Sequence, residues 1–277
     1  MGSALGAGWA QGGHRVITCL AGRSARSRSL ASGAGLEELP SLDDVVAAAE
    51  LVVSVVPPAA ARDVADDLAA AVARTGTSPL VADVNAVSPA TVRDVAARLE
   101  ACDVVDGSIS GGPPRADGEP TRVYLSGPRA ADVLALTNPR LDGVVLGDRL
   151  GTASALKMCT ASMYKGTKAL VMHALVVAEA HGVTEAFLAD TARAWPDDVP
   201  GWPRDVAVAS SKAWRFVDEM HEIAATQAEA GLPAELFEGV AAAYVRASRT
   251  ELGQRPPEDV PADVTAATVV AALTRPR

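Results

Sequence analysis

Three short stretches of this 277-residue chain carry residue types that can do chemistry. In Asp106-Gly107-Ser108-Ile109-Ser110-Gly111-Gly112, the two terminal glycines let backbone N–H groups approach a carboxylate closely, and the Ser110 hydroxyl adds a donor. In Ala21-Gly22-Arg23-Ser24-Ala25-Arg26-Ser27-Arg28, three arginines and two serines suit a phosphate through charge-assisted hydrogen bonds; a solvated basic turn is the plainer alternative. The third stretch surrounds Lys157, one of only four lysines, three of which (Lys157, Lys165, Lys168) fall in a single segment. A partly desolvated lysine has its pKa lowered toward neutrality, so its nitrogen can both give up and take back a proton.

The elements that must hold these groups are legible in the hydrophobic pattern. The first half alternates short β-rich runs with Ala-rich ones, which implies an α/β domain with a parallel sheet covered by helices. Helices are expected over residues 3–11, 27–33, 42–49, 63–74 and 89–99, the last with Ser88 as its cap and Pro89 in its first turn. Strands are expected over residues 15–20, 51–56, 80–84, 104–109, 122–126 and 144–146. From Gly151 to about His181 there is no Pro and, inside the run, no Gly but Gly166. That predicts one helix of roughly 45 Å. Further helices are expected over 185–194, 204–229 and 234–251, and the Pro-rich residues from 254 read as a loosely ordered tail. The domain plan is therefore a Rossmann-like unit over 1–149, an all-α unit over 150–253 and a tail over 254–277.

In a dinucleotide-binding fold a strand delivers G-x-G-x-x-G, and the next helix receives the pyrophosphate at its N-terminus. Gly2, at the head of the first helix, reads as the third of those glycines, with the strand and the other two preceding Met1. The end of the second strand distinguishes the cofactors, because an acid there holds ribose hydroxyls whereas Arg and Ser accept a 2′-phosphate. No acid occurs before Glu37, so Arg23, Ser24 and Arg26 favour NADP over NAD. The expectation is that translation begins upstream and Met1 is internal. Without the central strand, the second strand would part from the fourth, and about four buried apolar side chains would be lost, roughly 6–12 kcal/mol. That rivals the stability of a whole domain, about 5–15 kcal/mol.

Composition narrows the classes. A net charge of −9 argues against nucleic-acid binding, which rewards clustered Lys and Arg. The 49% hydrophobic content suffices for a full core. The longest apolar helical run is too short and too interrupted to span a membrane. Cys19, Cys102 and Cys159 have no metal-ligand spacing and read as reduced thiols of a cytoplasmic protein. Trp195, Trp202 and Trp214 read as packing residues, and the acids Asp218, Glu219 and Glu222 as a solvated helix face.

Taken together, the strings resemble the 6-phosphogluconate and 3-hydroxyacid dehydrogenase superfamily. Ser54-Val55-Val56-Pro57-Pro58 is similar to a strand-end turn that passes the cofactor, and Asp83-Val84-Asn85-Ala86-Val87-Ser88-Pro89 to the next such turn. The Asp106 string resembles the family's D-x-P-V-S-G-G, and Gly151-Thr152-Ala153-Ser154-Ala155-Leu156-Lys157 its G-x-G-x-x-x-K. The resemblance implies an NADP-dependent oxidoreductase acting on a small hydroxyacid or its carbonyl counterpart, with Lys157 as proton donor and acceptor. Val56, Pro57 and Asn85 would line the cofactor, and Ser110, Gly111, Gly112 and Tyr164 the small-molecule substrate. A homodimer joined through the helical domain is implied as well.

The pattern also departs from the family. Ala161 replaces an asparagine, Tyr164 replaces the acid of 6-phosphogluconate dehydrogenase, and Asp218-Glu219 stands where a K-D pair is usual. The segment from Ala213 to Ala225 instead resembles a branch with a short helical domain of unassigned substrate. Two alternatives stay open: an imine reductase-like enzyme, against which the retained lysine counts, and a non-catalytic NADP-binding protein.

Overall fold

The computed structural model describes residues 1–274. The chain forms two compact units, Met1–Met158 and the remainder from Cys159.

In the first unit, helix α1 (Gly2–Gln11) is followed by β1 (Ile17–Thr18), α2 (Ala25–Gly33), β2 (Glu37–Glu38), α3 (Leu42–Ala48) and β3 (Leu51–Ser54). Then come α4 (Ala61–Thr75), β4 (Leu80–Asp83), α5 (Pro89–Arg98), β5 (Val104–Ser110), β6 (Thr121–Ser126), α6 (Ala130–Ala135) and β7 (Leu141–Val145). Helix starts follow local chemistry. The Ser24 hydroxyl accepts from the Ser27 N–H, Ser41 and Asp44 cap each other's backbone, and Ser88 accepts from Thr91 behind Pro89. Each arrangement satisfies donors that a helix leaves open at its first turn.

The strands form two separate sheets. β1 and β2 pair in parallel, and a five-stranded sheet runs β3-β4-β5-β6-β7, parallel except for β5 against β6. Strand β1 takes no part in the five-stranded sheet. It is two residues long where six were expected, and it pairs with β2. Strand β2 and helix α6 were not anticipated. Two consecutive glutamates have low β propensity, and here Glu37 and Glu38 are held by Arg15 and Arg28 at 2.6 and 3.1 Å. One layer of core joins α3, α4 and α5 to the sheet through Val46, Leu68, Val81, Val92 and Leu99. The other unites Leu5, Val105, Ile109, Leu125 and Val133. Helix α1 lies close because Gly8 has no side chain: a Cβ there would collide with Asn138, whose Nδ2 donates to the Leu5 carbonyl at 3.2 Å.

Helix α7 (Thr152–Ala180) has 29 residues, and the unit division falls after its seventh residue, Met158. The second unit continues with α8 (Thr184–Thr191), α9 (Trp202–Ser210), α10 (Ala213–Glu229), α11 (Glu235–Ser248), α12 (Glu251–Gln254) and α13 (Ala266–Thr274). The single helix expected over 204–229 is two. The Ser211 hydroxyl donates to the Val208 carbonyl at 2.9 Å, and such side-chain bonds compete with the helical ladder. Phe216, Met220, Ile223, Phe237 and Tyr244 fill the core of the α10–α11 hairpin. Within the stretch expected as a loose tail, residues 266–274 instead form α13, whose Val269, Val270 and Leu273 are buried, since the run Ala-Ala-Thr-Val-Val-Ala-Ala-Leu supplies an apolar helix despite the prolines before it; the end of that stretch, 275–277, lies outside the described residues. No helix among the described residues is long and apolar enough to cross a membrane.

Candidate active site

The ends of β3 and β4 are tied together by one asparagine. Asn85 is 2% exposed. Its Oδ1 accepts from the Val56 N–H at 2.6 Å, and its Nδ2 donates to Ser54 Oγ and Asp83 Oδ2, each at 3.0 Å. Its backbone N–H donates to Asp83 Oδ1 at 2.9 Å. Asn85 and Val56, predicted separately as cofactor-lining residues, are therefore in direct contact. Pro57 follows and opens a short 3-10 turn, its carbonyl accepting from Ala60 at 2.9 Å. Burial pushes the Asp83 carboxyl up to about 6, with the bonds from Asn85 opposing the shift and Asp106 reinforcing it.

A second network joins β5 and β6 to the start of α7. Asp106 is wholly buried and accepts three hydrogen bonds. They come from Ser126 Oγ at 2.9 Å, the Ser154 N–H at 3.0 Å and Ser154 Oγ at 2.6 Å. Ser126 Oγ in turn accepts from the Ala153 N–H at 3.0 Å. Two open donors of the helix are thus satisfied, and a carboxylate sits at the positive end of the helix dipole. One turn further on, half-buried Lys157 donates from Nζ to the Ile109 carbonyl at 2.7 Å. Its amine is thereby held at the last residues of β5, where the chain runs into exposed Ser110, Gly111 and Gly112. Gly111 has φ of 121°, a backbone state that disfavours any side chain.

The other predicted residues belong to neither hydrogen-bond network. Gly2 begins α1 beside β3's exit, where a Cβ would stand 3.3 Å from Val55 Cγ1; a glycine allows that close helix–strand approach. Exposed Arg23 occupies the turn before α2, Ser24 caps that helix, and Arg26 lies in its first turn, which holds no acid. These features fit an NAD(P) phosphate, since both helix N-termini lack acids. Tyr164 belongs to the second unit and is 71% exposed, whereas Ala161 is buried.

Two further readings are corrected. Glu219 is buried and paired with Lys165; its carboxylate is an internal partner rather than part of a solvated face. Trp195 and Trp214 are exposed, while Trp202 packs against Phe187 at 6.3 Å between centroids. The structural roles of Asp83, Asp106, Ser126 and Ser154 had no separate signal. Asp83, Asp106 and Ser154 stood inside the quoted strings, but Ser126 reaches them only through β-sheet pairing of Asp106 with Ser126. Among the described residues no group of His, Cys, Asp and Glu is arranged to hold a metal ion.

Residues 1–138 match the family described as NAD binding domain of 6-phosphogluconate dehydrogenase, and residues 178–247 match a domain of unknown function, DUF1932. An uncharacterized 28.5 kDa protein of Methanothermus fervidus is 28% identical over 173 residues, 62% of this chain. That match spans 65% of the relative's length. A solved conserved protein of unknown function, described as structurally similar to 3-hydroxyacid dehydrogenases, is 28% identical with a TM-score of 0.64, covering 88% of this chain and 95% of its own. The 3-hydroxyisobutyrate dehydrogenase of Mycobacterium tuberculosis shares the fold, with a TM-score of 0.68 at 21% identity over 99% of this chain and 96% of its own.

Proposed function

Because this chain joins a member of the 6-phosphogluconate dehydrogenase NAD-binding domain family to a member of the DUF1932 family, we propose that it is an NADP-dependent oxidoreductase acting on a small hydroxyacid or its carbonyl counterpart. The observation that carries the reading is the Lys157 amine, fixed at 2.7 Å on the Ile109 carbonyl immediately before Ser110-Gly111-Gly112. The nicotinamide, when bound, supplies the hydride acceptor or donor. Lys157 takes the proton of a substrate hydroxyl in one direction and returns it to a carbonyl oxygen in the other. Ser110 Oγ and the N–H groups of Gly111 and Gly112 hold the substrate's carboxylate. Val56, Pro57 and Asn85 line the cofactor, Gly2 lets it approach the start of α1, and Arg23, Ser24 and Arg26 take its 2′-phosphate, which selects NADP over NAD. The helical residues 150–253 serve substrate binding and dimerisation, with Tyr164 assigned to the substrate.

The test pairs titration of NADPH with turnover of a panel of hydroxyacids, ketones and imines by the wild type and Lys157→Ala. Cofactor binding is expected to persist in the variant while turnover falls by about 10²–10⁴. A variant as active as the wild type would remove Lys157 from the chemistry. No turnover of any panel member by a wild type that binds NADPH would favour a binding protein instead.

A further inference from the structure

Of the chain's 25 basic residues only four are lysines, and three of these lie in the second unit. Lys165 and Arg215 share one aromatic ring: Lys165 Nζ is 4.7 Å and Arg215 Cζ 5.7 Å from the centroid of Phe216. Lys168 lies one turn beyond Lys165 on α7, and Lys212 one turn before Arg215 at the start of α10. Half-buried Lys212 has its pKa lowered, first by burial and then by the charges of Arg215 and Lys168. The four cations thus lie along two helices that meet at Phe216, and carboxylates stand against two of them. Glu219 is taken by Lys165, and Asp205 lies 3.5 Å from Lys168. Neither Lys212 nor Arg215 has an ion-pair partner among the described residues. Helix α10 adds to the imbalance, since it opens on Lys212 with no side-chain cap and no acid in its first turn. Cations at that end of a helix oppose its dipole.

Like charges held this closely, one of them drawn out of water, are relieved by a shared counter-charge. A point-charge ammonium and a planar guanidinium together match an oxyanion, the lysines by charge and the arginine by its paired N–H groups. We infer that Lys168, Lys212 and Arg215 form a binding site for a small oxyanion, a phosphate or a carboxylate group. The site belongs to the helical unit and stands whether or not the oxidoreductase reading does.

Calorimetric titration of the full chain without cofactor tests it, using inorganic phosphate and, separately, malonate, each against sodium chloride at matched ionic strength. Saturable binding of phosphate or malonate beyond the chloride control is expected. It should weaken by at least about tenfold in Lys212→Gln and in Arg215→Gln and persist in Lys212→Arg. A phosphate response alone assigns a phosphate ligand, and a response to both assigns oxyanions generally. Equal heats from chloride, or binding that survives the Lys212→Gln/Arg215→Gln double variant, would overturn the site. Circular dichroism identifies any variant that has lost its fold, and exposed Arg215 provides the substitution least able to cause that.

Discussion

Lys157 and Asp83 illustrate two ways in which a fold spends a titratable group. The amine of Lys157 donates to a backbone carbonyl, which orients it. The carboxyl of Asp83 is instead buried, and its neighbours are amide donors from Asn85. A pH dependence of stability follows from the second. Folding raises the Asp83 pKa from 3.8 to about 6, so between those values the folded chain holds a proton that the unfolded chain has released. Stability from this group is full below about pH 4 and is lost as pH rises through 6, by about 3 kcal/mol in all. Urea unfolding at pH 4, 5, 6 and 7 should contain that falling contribution in the wild type and lose it in Asp83→Asn. Identical profiles for the two proteins would place the titration elsewhere.

At the scale of elements, the decisive contact is between the end of β5 and the start of α7. The three donors on Asp106 set where the helix begins, and therefore where Lys157 stands one turn later. Asp106→Ala leaves two serine hydroxyls and a backbone N–H without their acceptor, which costs about 3–5 kcal/mol. Asp106→Asn keeps one acceptor oxygen and should cost less. If the contact also positions Lys157, Asp106→Asn will lower kcat while NADPH affinity stays unchanged, and amide exchange at Ala153 and Ser154 will accelerate. Unaltered exchange at those two amides would show that the helix start is fixed by something else. Much of this was legible in the sequence: Lys157, Gly111 and Asn85 stood in recognisable strings. The partnership of Asp106 with Ser126 was not, because two residues twenty apart meet only through antiparallel register. The break between α9 and α10 was equally hidden, since no Gly or Pro marks it.

The whole molecule presents a surface that its own core does not use. On α7, Met163, Leu170 and Val177 recur every seven residues and are 70, 67 and 57% exposed. A seven-residue apolar period forms a continuous stripe along a helix, suited to a second copy of the same helix. The proposed homodimer is expected to use it. Light scattering coupled to size exclusion should find a dimer for the wild type and a folded monomer for Leu170→Glu. A dimer that survives that substitution would exclude the stripe as the interface.

By itself the sequence determined the α/β unit followed by helices, the long α7, the Ser88 cap and the identity of the residues proposed for chemistry. Those properties rest on periodicity and on side chains acting within a turn or two of their own position. Only the tertiary structure decided that Asn85 bonds Val56, that Asp106 anchors the helix carrying Lys157, that Glu219 is an internal partner of Lys165, and that Lys212 and Arg215 have no ion-pair partner among the described residues. Each of these depends on distant segments brought within hydrogen-bond or Coulombic range, and on burial, which a linear pattern does not specify.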